Sequence, residues 1–172
     1  MIMKPSEVKR WGVDIGNVLV HNFKINTDFA NLTWEEISKN GGEVIPGALE
    51  GLKKLIDKVG ADNVWIVSKV SPAQQKVSEF ILEHINIYEK TGLKRDHIRF
   101  CLEKKDKAPI IKELNLGGHI DDRGEVIESL QSFLPCPIWF NPDQEDMMEW
   151  DNHVSMKVLM VHNWDAIMAL LD

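Results

Sequence analysis

Arg10-Trp11-Gly12-Val13-Asp14-Ile15-Gly16-Asn17-Val18-Leu19-Val20 decides how the rest of the chain is read. An apolar run leads into a single aspartate, a Gly16-Asn17 turn follows, and a second apolar triplet comes after it. The pattern predicts a buried strand that delivers Asp14 at its carboxyl end. A carboxylate there loses hydration, so a cation or a hydrogen-bond donor is expected beside it.

Outward from this stretch, short apolar runs alternate with helical patterns. Residues 21–44 are mostly polar and weakly periodic, with a short helix expected near 33–40 and ended by Gly41-Gly42. Pro46 opens a clear helix in which Leu49, Leu52, Leu55, Ile56 and Val59 recur at helical spacing, and Gly60 closes it. Residues 63–68 are too short for a helix and rich in branched side chains, which predicts a core strand ending in Ser68. Ser71-Pro72 is an N-cap followed by a first-turn proline, starting a helix through Val77, Phe80, Ile81 and Ile85.

Ile98–Cys101 predicts another strand, and Asp106 is expected to cap a helix carrying Ile110, Ile111 and Leu114. His119-Ile120 then runs into Asp121-Asp122, followed by a helix through Val126, Ile127 and Leu130. Residues 137–140 predict a strand, and 141–155 are acidic and irregular. The acidic run 143–151 is expected to be a solvated loop, with calcium binding as the alternative. A last strand over 158–161 and a helix over Trp164–Leu171 complete the chain. Such alternation predicts an α/β domain with a mainly parallel sheet.

The 172 residues form one expected domain, 44% hydrophobic and 27% charged, as in ordinary globular proteins. A formal charge of −7 argues against a nucleic-acid duplex as the partner. No apolar run approaches the roughly 20 residues that span a bilayer. The first residues lack the apolar core of an export signal, and a cytoplasmic location is expected. Cys101 and Cys136 are expected to be reduced, buried thiols.

In an open parallel sheet the binding crevice lies beyond the carboxyl ends of the strands. Three apolar runs end in polar groups there: Asp14, Ser68 and Asp121-Asp122. A lysine at the start of a helix completes a set of carboxylates, a hydroxyl and an ammonium. Carboxylates suit a hard divalent cation such as magnesium, which accepts substrate phosphate oxygens. A lysine and a hydroxyl suit the remaining phosphate oxygens. An aspartate is a competent nucleophile towards phosphorus. The chemistry that fits is phosphoryl transfer.

These residues resemble the haloacid dehalogenase-like (HAD) superfamily. Asp14-Ile15-Gly16-Asn17-Val18-Leu19 is similar to its first motif and residues 64–68 to its second. Lys107 in Asp106-Lys107-Ala108-Pro109 is similar to the third, and Ile120-Asp121-Asp122-Arg123 to the fourth. The helix opening Ile45-Pro46-Gly47-Ala48 also fits, and the likeness runs from about Val13 to the C-terminus. It implies a HAD-like Rossmannoid three-layer sandwich with at most a very small cap, in which 21–44 is a short cap-like insert.

The resemblance also implies a magnesium-dependent phosphatase acting through an aspartyl-phosphate on a small phosphorylated substrate. Asp14 would be the nucleophile and a metal ligand, and Gly16 would offer its backbone carbonyl to the metal. Ser68 would bind phosphoryl oxygens and Lys107 would balance charge, with Asn17 and Lys69 beside them as substrate-binding residues. Asp122 would be the main metal ligand of the fourth motif, next to Asp121. The double acid followed by arginine is similar to the fourth motif of some deoxyribonucleotidase-like members, which puts nucleotides among the substrate classes.

One departure is Gly16, where phosphatases of this family usually carry a general-acid aspartate. Such help is worth roughly 10²–10⁴ in rate. The rival reading is therefore a non-catalytic HAD-like domain that binds a phosphorylated ligand or a protein, and a phosphotransferase uses the same residues. An open site also leaves room for a bulky substrate, or for a second copy of the chain as cover. Trp65 and Trp139 are expected in the core, Trp34 and Trp150 in irregular segments where packing is expected and substrate contact is the alternative, and His119 nearer the crevice than the other histidines. Lys104 and Lys105 read as a solvated basic face, and no Cys/His spacing suits zinc.

Overall fold

The computed structural model describes residues 3–23 and 33–172. Six strands form one sheet: β1 (Trp11–Val13), β2 (Val64–Lys69), β3 (Ile98–Cys101), β4 (Gly118–Asp121), β5 (Cys136–Phe140) and β6 (Leu159–Val161). Their order is β3-β2-β1-β4-β5-β6, and every neighbouring pair is parallel. A parallel sheet covered on both faces requires near-continuous apolar strands. Trp11, Val13, Ile66, Val67, Ile120 and Ile138 supply them, all fully buried.

Eight helices cover the sheet in the described residues: α1 (Trp34–Lys39), α2 (Ala48–Val59), α3 (Pro72–His84), α4 (Ile87–Thr91), α5 (Lys107–Glu113), α6 (Gly124–Leu130), α7 (Gln144–Trp150) and α8 (Trp164–Leu171). α2 packs against α4 and α8, while α5, α6 and α7 pack in a row against one another on the opposite face. The larger core cluster joins Leu52, Leu55, Ile81 and Trp164 to the sheet, and a second joins Val67 to Ile111, Val126 and Leu130. The result is a three-layer α/β sandwich of Rossmann type. The chain reverses its direction of travel across the sheet at β1, whose neighbours are β2 and β4. Ligands bind outside the carboxyl ends of the strands at such a switch point.

Several expectations shift. The helix after Pro46 starts two residues later, at Ala48, after Gly47 in a left-handed conformation (φ 78°). Phe80 is exposed, and Leu82 joins the expected Val77, Ile81 and Ile85 in the core instead. α4 has no counterpart in the sequence reading. It follows Asn86 in a left-handed conformation (φ 56°), which restarts the helix after α3 ends. Asp106 does not cap α5, because its carboxylate accepts the backbone N–H of Glu103 (3.1 Å) within the tight turn Lys104–Asp106.

The largest correction is the acidic run 143–151, which is not a solvated loop. Asp143 caps α7 by accepting the N–H of Asp146 (2.7 Å), and Asp146 itself is buried. Cys101 and Cys136 are unpaired and buried, and burial pushes their thiols up to about 11 and about 12. Among the described residues no helix is long and apolar enough to cross a membrane.

Candidate active site

β1 and β4 are in register with Val13 beside Ile120, so Asp14 and Asp121 leave the sheet at one level. The Asp14 N–H still donates to the Ile120 carbonyl (3.0 Å). The chain then folds tightly, with the N–H groups of Val18, Leu19 and Val20 all donating to the Ile15 carbonyl. Asn17 adopts φ 55°, a conformation asparagine tolerates better than most residues. From α8, the buried Trp164 indole donates to the Val18 carbonyl (2.7 Å) and ties this loop to the core.

Lys107, the first residue of α5, is only 2% exposed and joins two acids. Its Nζ lies 3.0 Å from Asp14 Oδ1 and 2.6 Å from Asp121 Oδ2. Asp121 Oδ2 also faces His119 Nε2 at 3.0 Å, and Asp121 Oδ1 accepts the Arg123 backbone N–H at 3.1 Å. Burial pushes the Asp121 carboxyl up, but Lys107 and His119 together outweigh it and hold it well below the usual range. An ionised carboxylate only accepts, so His119 Nε2 carries its ring proton. The other ring nitrogen, Nδ1, is buried without a partner. Gly12 makes room for it, because a Cβ there would fall 2.5 Å from Nδ1.

Burial raises Asp14 above its usual pKa, opposed chiefly by Lys107 and reinforced by Asp121; a hydrogen bond from the Ser68 hydroxyl also favours its ionised form. Asp122 is braced differently. Its Oδ2 accepts from Asn17 Nδ2 (3.0 Å) and its carbonyl accepts from the Trp139 indole (3.1 Å). Burial, followed by the charges of Asp121 and Asp14, pushes its carboxyl up to about 8. Asp14, Asp121 and Asp122 each offer an oxygen within 4.8 Å of the others. Three acids around one ammonium are short of positive charge, and oxygen ligands converging at this spacing fit a hard divalent ion.

A pocket of about 270 Å³ opens over this cluster. Asp14, Gly16, Ser68, Lys69, Lys107 and Asp122 line it, as do Asn22, Gln74, Lys104 and Arg123. Asp121 stands behind the wall. Asn17 is a brace: its Nδ2 holds Asp122, and its Oδ1 accepts the Asn22 N–H at 3.0 Å. Lys104, read as part of a solvated face, lines the pocket and pairs with Glu125 at 2.7 Å. Trp139 is buried as expected, and Trp34 stacks on His84 with ring centroids 3.9 Å apart. Asn22, Gln74 and Asp146 carried no signal in the sequence, whereas Arg123 was marked only by its place after the paired acids.

No protein-family model and no curated protein matches this sequence. Solved structures do match its shape. D,D-heptose 1,7-bisphosphate phosphatase from B. bronchiseptica, complexed with magnesium and phosphate, superposes with a TM-score of 0.63 at 11% identity, over 94% of this chain and 97% of that one. A haloacid dehalogenase-like family hydrolase from Xanthomonas campestris gives 0.59 at 12% identity, over 95% and 96%. The heptose bisphosphate phosphatase of Burkholderia thailandensis gives 0.56 at 12%, over 94% and 96%. This chain shares its three-layer α/β fold with these structures. At these identities the likeness speaks to fold alone.

Proposed function

We propose that this protein is a magnesium-dependent phosphatase that hydrolyses a small phosphomonoester through an aspartyl-phosphate on Asp14. The observation that carries it is the meeting of Asp14, Ser68, Lys107 and Asp122, from four separate segments, around one pocket at the switch point of the sheet. In this reading a carboxylate oxygen of Asp14 attacks phosphorus, and the bond to the departing alcohol breaks with its electron pair leaving on that oxygen. The oxygen takes a proton from water. A second water then attacks phosphorus and gives a proton to the hydroxide left by the first, the bond to Asp14 breaks, and phosphate leaves with the carboxylate restored.

Lys107 favours the ionised form of Asp14 against burial and faces the charge that builds on the phosphoryl oxygens. The Ser68 hydroxyl orients those oxygens. Asp14, the Gly16 carbonyl and Asp122 would hold magnesium, with Asp121 beside them, and the ion would neutralise charge on the transferred group. Residues 1–172 then act as one domain with 21–44 as a short cap-like insert, of which Asn22 and Phe23 reach the pocket wall. The buried thiols fit a reducing cytoplasm.

A second reading, a non-catalytic binder of phosphorylated ligands, rests on Gly16. A Cβ there would stand 3.1 Å from the amide oxygen of Asn22, so an amide occupies the space next to it. A phosphomonoester screen with magnesium, run on wild type and Asp14→Asn, divides the two. The phosphatase reading expects phosphate release from at least one compound and its loss in Asp14→Asn. Binding without any Asp14-dependent release favours the second reading.

A further inference from the structure

The charges at the pocket mouth differ from those at its floor. Lys69, Lys104 and Arg123 line the mouth. No acid other than Asp14 and Asp122 lines the pocket among the described residues. In a chain with a formal charge of −7 such a concentration of cations is not a consequence of composition. Lys107, paired with Asp14 and Asp121, and Lys69, next to Ser68, serve the phosphoryl site, which leaves Arg123 and Lys104 for another anionic group.

Arg123 is held in place by a buried partner. Its Nε lies 3.5 Å from Asp146 Oδ1, and Asp146 is 2% exposed. Asp146 is fixed in turn, its Oδ2 accepting from the Gly124 N–H (2.6 Å) and the Trp139 indole (3.3 Å). The Nε atom is buried while the Arg123 side chain as a whole remains 39% exposed. With Nε facing that buried carboxylate as an ion pair and not a hydrogen bond, the two terminal nitrogens are left for a planar anion, which they match two bonds at a time. Lys104 reaches the same helix end, because its partner Glu125 lies two residues beyond Arg123. That pair is partly exposed and contributes little, so Lys104 is free to turn to a ligand.

We propose that the mouth is a second anion subsite, in which Arg123, with Lys104 beside it, binds a carboxylate or a second phosphate on the departing part of the substrate. The inference rests on the phosphatase reading for the word substrate, but the subsite itself needs only binding. A pocket of about 270 Å³ has room for two anionic groups joined by a short chain.

Three compounds with one three-carbon chain test it: propyl phosphate, 3-phosphooxypropanoate and 1,3-propanediol bisphosphate. Calorimetric binding with magnesium is measured on Asp14→Asn, which holds ligand without turning it over, and kcat/KM is measured on the wild type. One or both of the doubly anionic compounds should bind about tenfold or more tightly than propyl phosphate, as expected for one charge-assisted pair. Their order tells carboxylate from phosphate. Adding Arg123→Gln should bring the ratio close to one, while the Arg123 backbone N–H to Asp121 is kept. Equal binding of all three compounds, or a preference that survives both Arg123→Gln and Lys104→Gln, overturns the subsite. A clear binding preference without wild-type turnover sinks the phosphatase reading and leaves the subsite standing.

Discussion

The floor and the mouth of the pocket are both charged, yet they are built on opposite principles. At the floor, Lys107, Asp121 and His119 are almost entirely buried and joined at 2.6–3.0 Å. At the mouth, Lys104 and Glu125 meet at a comparable 2.7 Å with side chains 32% and 45% exposed. Similar distances therefore carry very different energies, because water screens the second pair and not the first. The floor resists change and punishes the loss of any member, whereas the mouth adapts to what enters.

The sharpest way to break this contrast is Lys107→Met, which keeps the apolar stem and removes the ammonium. Asp14 and Asp121 then remain buried without their counter-charge. Losing one partner of a buried pair costs about 3–5 kcal/mol. Urea unfolding should show that loss as a lower midpoint at an unchanged slope. A cost below about 1 kcal/mol, the value of an exposed pair, would erase the distinction between floor and mouth.

His119 sharpens the floor from behind. It touches no part of the pocket, and its effect runs through Asp121 to Lys107. His119→Leu leaves Asp121 one donor short, an expected loss of about 1–3 kcal/mol in stability. His119→Gln restores a donor, so it should recover most of that loss. If leucine and glutamine behave alike, the histidine only fills the space beside Gly12.

Much of this was legible in the sequence, for a physical reason. Asp14, Ser68 and Asp121-Asp122 each follow an apolar run, and a buried parallel strand is continuous enough in pattern to show where it ends. The sheet, the order of most helices and the acidic character of the crevice follow from that. What stayed hidden depends on contacts between segments distant in sequence. Asp146 sits in a run of acids that looks solvated, and only the approach of Gly124 and Trp139 makes it a buried anchor. Asn22 reaches the pocket because Asn17 Oδ1 accepts its N–H, a link that no periodicity announces. The floor was readable because burial leaves a pattern; the mouth showed only where Lys69 and Arg123 adjoin the ends of buried strands, and Lys104 did not, because exposed lysines look alike wherever they point.

Asp122 stands between the two regions, and proton linkage tests which it belongs to. In the metal-free folded protein its carboxyl keeps its proton up to about pH 8, against 3.8 for an ordinary aspartate. The folded state thus binds the extra proton between these values, and its stability falls as pH rises through that window. Asp122→Asn should flatten the fall. Magnesium competes with that proton, so the rise in melting temperature on adding it should be larger at pH 8.5 than at pH 6. With ion at about 100 times its Kd the stabilisation is about 2.7 kcal/mol, or roughly 5–10 °C in a chain of this size. A shift independent of pH would place Asp122 outside the ion's reach.

The smallest effect belongs to the mouth. Glu125→Gln releases Lys104 from an exposed pair, so stability should move by less than about 1 kcal/mol. The freed ammonium should tighten the binding of inorganic phosphate to Asp14→Asn, and salt decides whether the gain is electrostatic. Screening reaches about 10 Å at 0.1 M and about 3 Å at 1 M. Titration by calorimetry should therefore show the gain at low salt and little of it near 1 M. The penalty of Lys107→Met, buried beyond the reach of mobile ions, should persist at both. If instead both effects faded together with salt, burial would not be what separates the two regions, and the pocket would be a single screened surface.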